Sequence, residues 1–229
     1  MVMSLAATLD GVSRRLRWST GRGWRAHDFA ARYAKPSGDV WGYAGSPEHV
    51  RRAEWILSGL PCSRFRRVLE VGCAQGFLTE RLAPRSDSLV ACDFSPDAVA
   101  QTRRRLTDAP HVECRVADIR DEFPGADFDL CLFSDVLYYL SKRETELVLA
   151  EASRRIVPGG FVVIASEWRE NASGLTDPAY ALARLDAQPG WTRLTRTGRP
   201  FGSGEFVLAV YRRGAASDAP LHTNDTRRS

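Results

Sequence analysis

Five acids are spaced along the middle of this chain so that each follows an apolar run: Glu70, Asp93, Asp118, Asp135 and Glu167. The first belongs to Val68-Leu69-Glu70-Val71-Gly72-Cys73-Ala74-Gln75-Gly76-Phe77, where a β-branched run stops at an acid and the chain turns through two glycines. Gly72 permits a sharp strand-to-helix turn. Gly76 lets the following helix and a ligand approach the backbone, which a Cβ would hinder. A dinucleotide pyrophosphate calls for G-x-G-x-x-G, with no carboxylate two residues before the first glycine. Glu70 holds that position here. It would repel an anion and attract a ligand that carries an ammonium and a sulfonium.

S-adenosylmethionine fits that description, and the remaining acids divide between it and an acceptor. Asp93 lies about 20 residues beyond the glycine turn, where an acid at the end of a second strand accepts both ribose hydroxyls. Ser95-Pro96 starts the next helix, so the Asp93 carboxylate is not used up by capping. Asp118, at the end of a third strand beside a backbone amide, is placed to read the amino group of adenine. Asp135 and Glu167 are left to face the acceptor. In a methyl transfer, positive charge leaves sulfur and appears on the accepting atom. Alignment alone contributes on the order of 7 to 11 kcal/mol. An amine must arrive neutral, and a fixed carboxylate orients it and stabilises the ammonium that develops.

Glu70-Val71-Gly72-Cys73-Ala74-Gln75-Gly76 resembles motif I of the class I S-adenosylmethionine-dependent methyltransferases, with Ala74 in place of the middle glycine. From about Asp39 to Arg213 the chain is similar to the nodulation protein S-like N-methyltransferases. The residues that carry this likeness are Asp39-Val40-Trp41, the motif I segment, Leu78-Thr79-Glu80-Arg81-Leu82-Ala83-Pro84, Ser134-Asp135-Val136-Leu137-Tyr138-Tyr139-Leu140 and Trp168-Arg169. The resemblance implies an α/β, Rossmann-like class I methyltransferase fold, a seven-stranded mostly parallel sheet with helices on both faces. It also implies S-adenosyl-L-methionine as cofactor, held by Glu70, Gly72, Cys73, Gly76, Asp93, Phe94, Asp118, Ile119 and Ser134.

On the acceptor side, the expected catalytic groups are Glu167, Asp135 and Tyr138. Trp41, Tyr43, Tyr139 and Trp168 are the expected substrate-binding aromatics, since aromatic faces hold sugar rings and cations. The activity implied is N-methylation of an amino sugar or aminocyclitol in a natural product, or of a chitooligosaccharide. Two departures from the family pattern are an Arg-rich leader and Ser166-Glu167 before Trp168. Two other functions stay open. One is an O-methyltransferase of a natural product, although no His stands at a strand end to serve as its base. The other is a non-catalytic module that kept the donor residues. A nucleic-acid amino methyltransferase would show a Pro-Pro-Tyr type turn where Ser134-Asp135-Val136-Leu137 stands.

The elements that must position these residues are legible in periodicity and punctuation. Strands are predicted at 68–71, 88–92, 111–116, 128–133 and 161–165, alternating with helices at 47–59, 78–83, 96–106 and from a capping box at Ser141-Lys142-Arg143-Glu144 to a stop at Pro158-Gly159-Gly160. This alternation implies right-handed crossovers and a parallel sheet covered on both faces. A helix near 178–187 and strands at 191–197 and 205–211 read as a terminal antiparallel pair.

At 229 residues the chain accommodates one well-cored domain. The expected division is an Arg-rich leader at 1–36, flexible or lid-like, with 28–33 a helical turn over the cofactor; a methyltransferase domain at 37–213; and a disordered tail at 214–229. Hydrophobic content of 44% and charged content of 26% are those of a soluble globular protein. No apolar run reaches the roughly 18 residues of a membrane span. The net charge of +4 sits largely in the ends, so the core demands no polyanion, and nucleic acid is not an expected partner. The expected partner is a small-molecule amine, with a homodimer open. Five cysteines without a C-x-x-C pair read as small core hydrophobes in a reducing cytoplasm. Four scattered histidines give no metal-ligand spacing.

Overall fold

The computed structural model describes residues 23–33, 39–43, 46–168, 177–201 and 204–215. Helix α1 (Ala26–Tyr33) precedes α2 (Pro47–Ser58). Then follow β1 (Phe65–Val71), α3 (Phe77–Leu82), β2 (Ser86–Asp93), α4 (Pro96–Arg105), β3 (Val112–Val116) and β4 (Phe128–Ser134). The chain closes with α5 (Lys142–Arg155), β5 (Ile156–Trp168), α6 (Pro178–Asp186), β6 (Trp191–Phe201) and β7 (Gly204–Arg213). The tail expected from 214 lies outside the described residues, apart from Gly214 and Ala215, as does Arg169.

The helix starts are set by local chemistry. Ser46, Ser95 and Asp177 each accept a backbone N–H into an N-cap side chain, with Pro47, Pro96 and Pro178 at the first helical turn. Ser141 and Glu144 form the reciprocal capping box. The seven strands form one sheet in the order β3-β2-β1-β4-β5-β7-β6, with β7 antiparallel to both its neighbours and the other pairs parallel.

Alternation along each strand splits the core in two. One face carries Val68, Leu130, Leu132, Val163 and Leu208 against Ile56 and Leu57 of α2. The other carries Leu69, Val71, Phe133, Ile164 and Tyr211 against α5 and α6. The outermost strand β6 is exposed on both faces from Thr192 to Pro200.

One boundary differs from expectation. Helix α5 ends at Arg155, and Ile156 already has extended backbone, so the chain passes directly into β5. Pro158-Gly159-Gly160 lies inside that strand. There the register against β4 shifts between Phe128 and Leu130, and Gly159 takes φ +82°. The punctuation that reads as a helix stop is a bulge in the sheet.

Candidate active site

The strand order reverses beside β1, with β2 and β3 on one side and β4 and β5 on the other. A crevice opens beyond the carboxyl ends at such a reversal. Val71 pairs with Phe133, so Gly72 leaves the sheet beside Ser134, the last residue of β4. Gly72 turns at φ +79°, and the Gly72 and Cys73 N–H groups both donate to the Cys92 carbonyl at 2.8 and 3.0 Å. A side chain at Gly72 would collide with Val136. Gly76, at φ +76°, opens α3 against Thr102 of α4, whose Cγ2 would lie 2.9 Å from an added Cβ. Between them Ala74 also adopts positive φ, +48°. That conformation explains why a glycine suits this position.

Glu70 is 1% exposed, and its Oε2 has no hydrogen-bond partner. Burial pushes its carboxyl up to about 7; the Thr79 hydroxyl lowers it and the Asp93 charge raises it further. Asp93 is also buried, and its two oxygens accept the Ser95 and Ala74 N–H groups at 2.9 and 3.1 Å. Burial outweighs those two bonds and pushes Asp93 up to about 6.

A small, half-open pocket of about 40 Å³ is lined by Glu70, Gly72 and Cys73 together with Tyr43, His49 and Arg52. Ser134 forms part of the same wall. Glu70 thus brings a buried carboxylate oxygen without a hydrogen-bond partner to the lining of that pocket, an arrangement that calls for a donor group or a cation.

Asp118, two residues beyond β3, is differently engaged. Its Oδ1 accepts the Arg120 backbone N–H at 3.1 Å and Nε at 2.7 Å, and its Oδ2 accepts Arg120 Nη2 and Arg25 Nη1. Burial works to raise its pKa, but these arginine contacts hold it below the usual carboxylate range. Arg120 Nη1 also donates to the Trp24 carbonyl at 2.6 Å, and Gly23 N–H donates to Glu144 Oε2 at 2.9 Å. The segment from Gly23 is thereby seated, and α1 packs Phe29 on Phe94 and Tyr139 with ring centroids 5.2 and 5.1 Å apart. Ile119, next to Asp118, is buried in the main core beside Phe123.

Asp135 follows β4 with φ +53°, its N–H donating to the Ala165 carbonyl at 2.9 Å. Its Oδ1 accepts the Glu167 N–H at 2.9 Å, and its Oδ2 is paired with Arg52 Nη2. Tyr138 lies within electrostatic reach of Asp135 and Tyr43, and burial raises its phenol strongly. Glu167 stands opposite Phe206, over whose ring the Arg52 guanidinium sits at 4.3 Å.

The structure thus gathers Glu70, Gly72, Cys73, Ser134 and Tyr43 on one cavity, with Asp135 joined to it through Arg52. Three aromatics point elsewhere. Trp41 donates Nε1–H to the Tyr33 hydroxyl at 3.1 Å, and Tyr139 packs edge-on against Trp24 and Phe29. Trp168 packs on the α5 and α6 face beneath Arg196.

Two cavity residues have no place in the motif reading, His49 and Arg52. A signal for them existed in the helix period: 49, 52, 53 and 56 fall on one stripe, and Ala53 and Ile56 are core. Burial, followed by the Arg52 charge, lowers the His49 imidazole. Among the described residues no cluster of His, Cys, Asp or Glu could hold a metal ion, and no helix is long and apolar enough to cross a membrane.

Residues 68–160 match a family model described as a methyltransferase domain. Nodulation protein S of Rhizobium tropici is 36% identical over 130 residues, covering 56% of this chain and 55% of that protein. Trans-aconitate 2-methyltransferase of Afipia carboxidovorans is 31% identical over 144 residues, covering 62% and 52%. The chain spans about half the length of the curated relatives it matches. Among solved structures, N-methyltransferase NodS from Bradyrhizobium japonicum WM9 in complex with S-adenosyl-L-homocysteine superposes with a TM-score of 0.75 at 23% identity. That match covers 82% of this chain and 97% of the other and shows the shared fold.

Proposed function

We propose that this chain, which resembles the class I S-adenosylmethionine-dependent methyltransferases and their nodulation protein S group, methylates an amino nitrogen of a small molecule, an amino sugar or aminocyclitol. When bound, S-adenosylmethionine supplies a methyl group on an electrophilic sulfonium. Glu70 is the group for the donor ammonium, and Asp93 the group for the ribose hydroxyls. The backbone from Gly72 to Gly76 lets the nucleoside approach without steric hindrance. Phe94, packed at a tilt against Phe29, offers an apolar wall to the adenine side.

The observation that carries the amine acceptor is the pair of acids at the ends of adjacent strands, Asp135 and Glu167, tied by the Glu167 N–H to Asp135 Oδ1 bond. Held there, a carboxylate orients an attacking amine and neutralises the charge that appears on nitrogen. Tyr138 keeps its proton, because burial raises it, and so serves as a hydrogen-bond donor and not as a base. The nodulation protein S relatives make chitin-derived amines natural first acceptors.

The test is mass spectrometry after incubation with S-adenosylmethionine and deacetylated chitooligosaccharides, aminoglycosides, their N-acetylated forms, and trans-aconitate. A one-methyl gain confined to free amines supports N-methylation. Gain on acetylated sugars as well favours hydroxyl methylation, and gain on trans-aconitate moves the acceptor to a carboxylate. No gain by a protein that binds S-adenosylhomocysteine favours the binding module.

A further inference from the structure

Three residues stand in register across the last strands of the sheet. Glu167 of β5 lies directly opposite Phe206 of β7, and Phe206 lies directly opposite Arg199 of β6. Residues opposite one another in an antiparallel pair project to the same face. Phe206 belongs to the core beneath α2, so the acid and the cation flank it on that face. Two strand spacings put their backbones about 10 Å apart. Trp55 of α2 packs edge-on against Phe206 at 5.6 Å, and the Arg199 guanidinium sits over the Trp55 ring at 5.1 Å.

Arg199 differs from its neighbouring cations. Arg52 is paired with Asp135, and Arg193 with Asp186. Arg196 is opposite Ala209 and so lies on the α5 and α6 face, over Trp168. Arg199 is exposed, and among the described residues no carboxylate pairs with it. A guanidinium laid on an indole is restrained in orientation and keeps its N–H donors for an oxyanion. We infer that the acceptor is an amine that also carries an oxyanion, with its nitrogen at Glu167 and its phosphate or carboxylate at Arg199. The inference rests on the acceptor assignment above and names the class of amine. A second ammonium at that distance would meet a fixed positive charge, which disfavours polycationic acceptors. Trp55, partly buried beside Phe206, offers an apolar rim to the body of the molecule.

Three acceptors with one free amine each separate this role from a purely structural one. Glucosaminyl-N-acetylglucosamine is neutral on the far ring, its 1-phosphate carries a phosphate there, and glucosaminyl-glucuronate carries a carboxylate. In initial rates of methyl transfer, at least one charged form should show a KM about 5- to 30-fold below that of the neutral one, with kcat changed less. Arg199→Met keeps an apolar stem over Trp55. It should raise the KM of the preferred charged form by a similar factor and move the neutral form far less. Arg199→Glu should reverse the preference, and Arg199→Lys should restore part of it, because the charge remains and the fork does not.

Arg196→Met removes the same charge from the opposite face of β6 and should keep the wild-type preference. A wild-type protein that prefers neither charged form overturns the inference, as does a preference that survives Arg199→Met. Equal losses in Arg196→Met and Arg199→Met also overturn it, since the effect would then be one of net charge. Methyl transfer to none of the three amines by protein that binds S-adenosylhomocysteine overturns the acceptor assignment itself, and this inference with it.

Discussion

Asp93 and Ala74 are joined by a hydrogen bond that the motif alone does not announce: the Ala74 N–H donates to Asp93 Oδ2 at 3.1 Å, across from β2 to the glycine turn. The acid expected to face ribose therefore also shapes the glycine turn between β1 and α3.

Replacing it should have two separable effects. Asp93→Ala leaves the Ala74 and Ser95 N–H groups without their partner and should cost about 1 to 3 kcal/mol of stability. It should also weaken S-adenosylhomocysteine by more than Asp93→Asn does, since Asn keeps an acceptor oxygen. Denaturant melts and calorimetry on the two variants distinguish the effects, and equal affinities in both would remove the ribose assignment.

Ala74 offers the reverse experiment. Its φ of +48° costs a residue with a Cβ roughly 1 to 2 kcal/mol. Glycine returns about 0.4 to 1 kcal/mol of that as unfolded-state entropy. Ala74→Gly should thus raise stability by about 0.5 kcal/mol, read as a shift of the urea midpoint at unchanged slope.

Donor binding should be linked to pH. Both Glu70 and Asp93 are raised, to about 7 and about 6, so the folded protein holds protons there that the unfolded chain has already lost. Their contribution to stability is therefore largest at low pH and falls as pH rises from 4.5 through the folded value near 7 for Glu70. A donor ammonium reverses the preference by favouring ionised Glu70. S-adenosylhomocysteine should bind more tightly as pH rises from about 5.5 to about 7.5, with proton release in the lower part of that window. Titrations at pH 6.5 in buffers of different ionisation enthalpy measure the release directly; a binding enthalpy that does not depend on buffer would contradict it.

Glu144 performs two tasks, closing the capping box of α5 and receiving Gly23 N–H and Arg25 Nη2 from the segment before α1. Glu144→Ala should lower stability by about 1 kcal/mol through the lost cap. It should also speed amide hydrogen exchange in residues 24–33 far more than in β1 or β4. Uniform acceleration across the protein would mean that α1 is not seated by this residue.

Much of the architecture was legible because each signal was local. Serine before proline marked the starts of α2 and α4, a capping box that of α5, apolar runs the strands, and the acids at their ends one edge of the sheet. What escaped depended on distance in sequence. Arg52 reads as one of many surface arginines until the helix stripe through Ala53 and Ile56 is traced to Asp135, 83 residues away. Asp118 reads as an adenine ligand, and only the folded chain brings Arg25, 93 residues earlier, onto its second oxygen. Trp168 and Glu167 are neighbours in sequence, yet the pleat sends them to opposite faces, so a motif that names both cannot assign both to one pocket.

The reversal of strand order beside β1 also divides the labour of the sheet. The groups proposed for the donor lie at the ends of β1, β2 and β3, whereas those proposed for the acceptor lie at the ends of β4 and β5. A seam thus runs between β1 and β4, where Val71 pairs with Phe133. On the proposed assignment, substitutions on the β5 side should change which acceptor is admitted while methyl delivery stays intact, and a redesign of specificity has its natural boundary there.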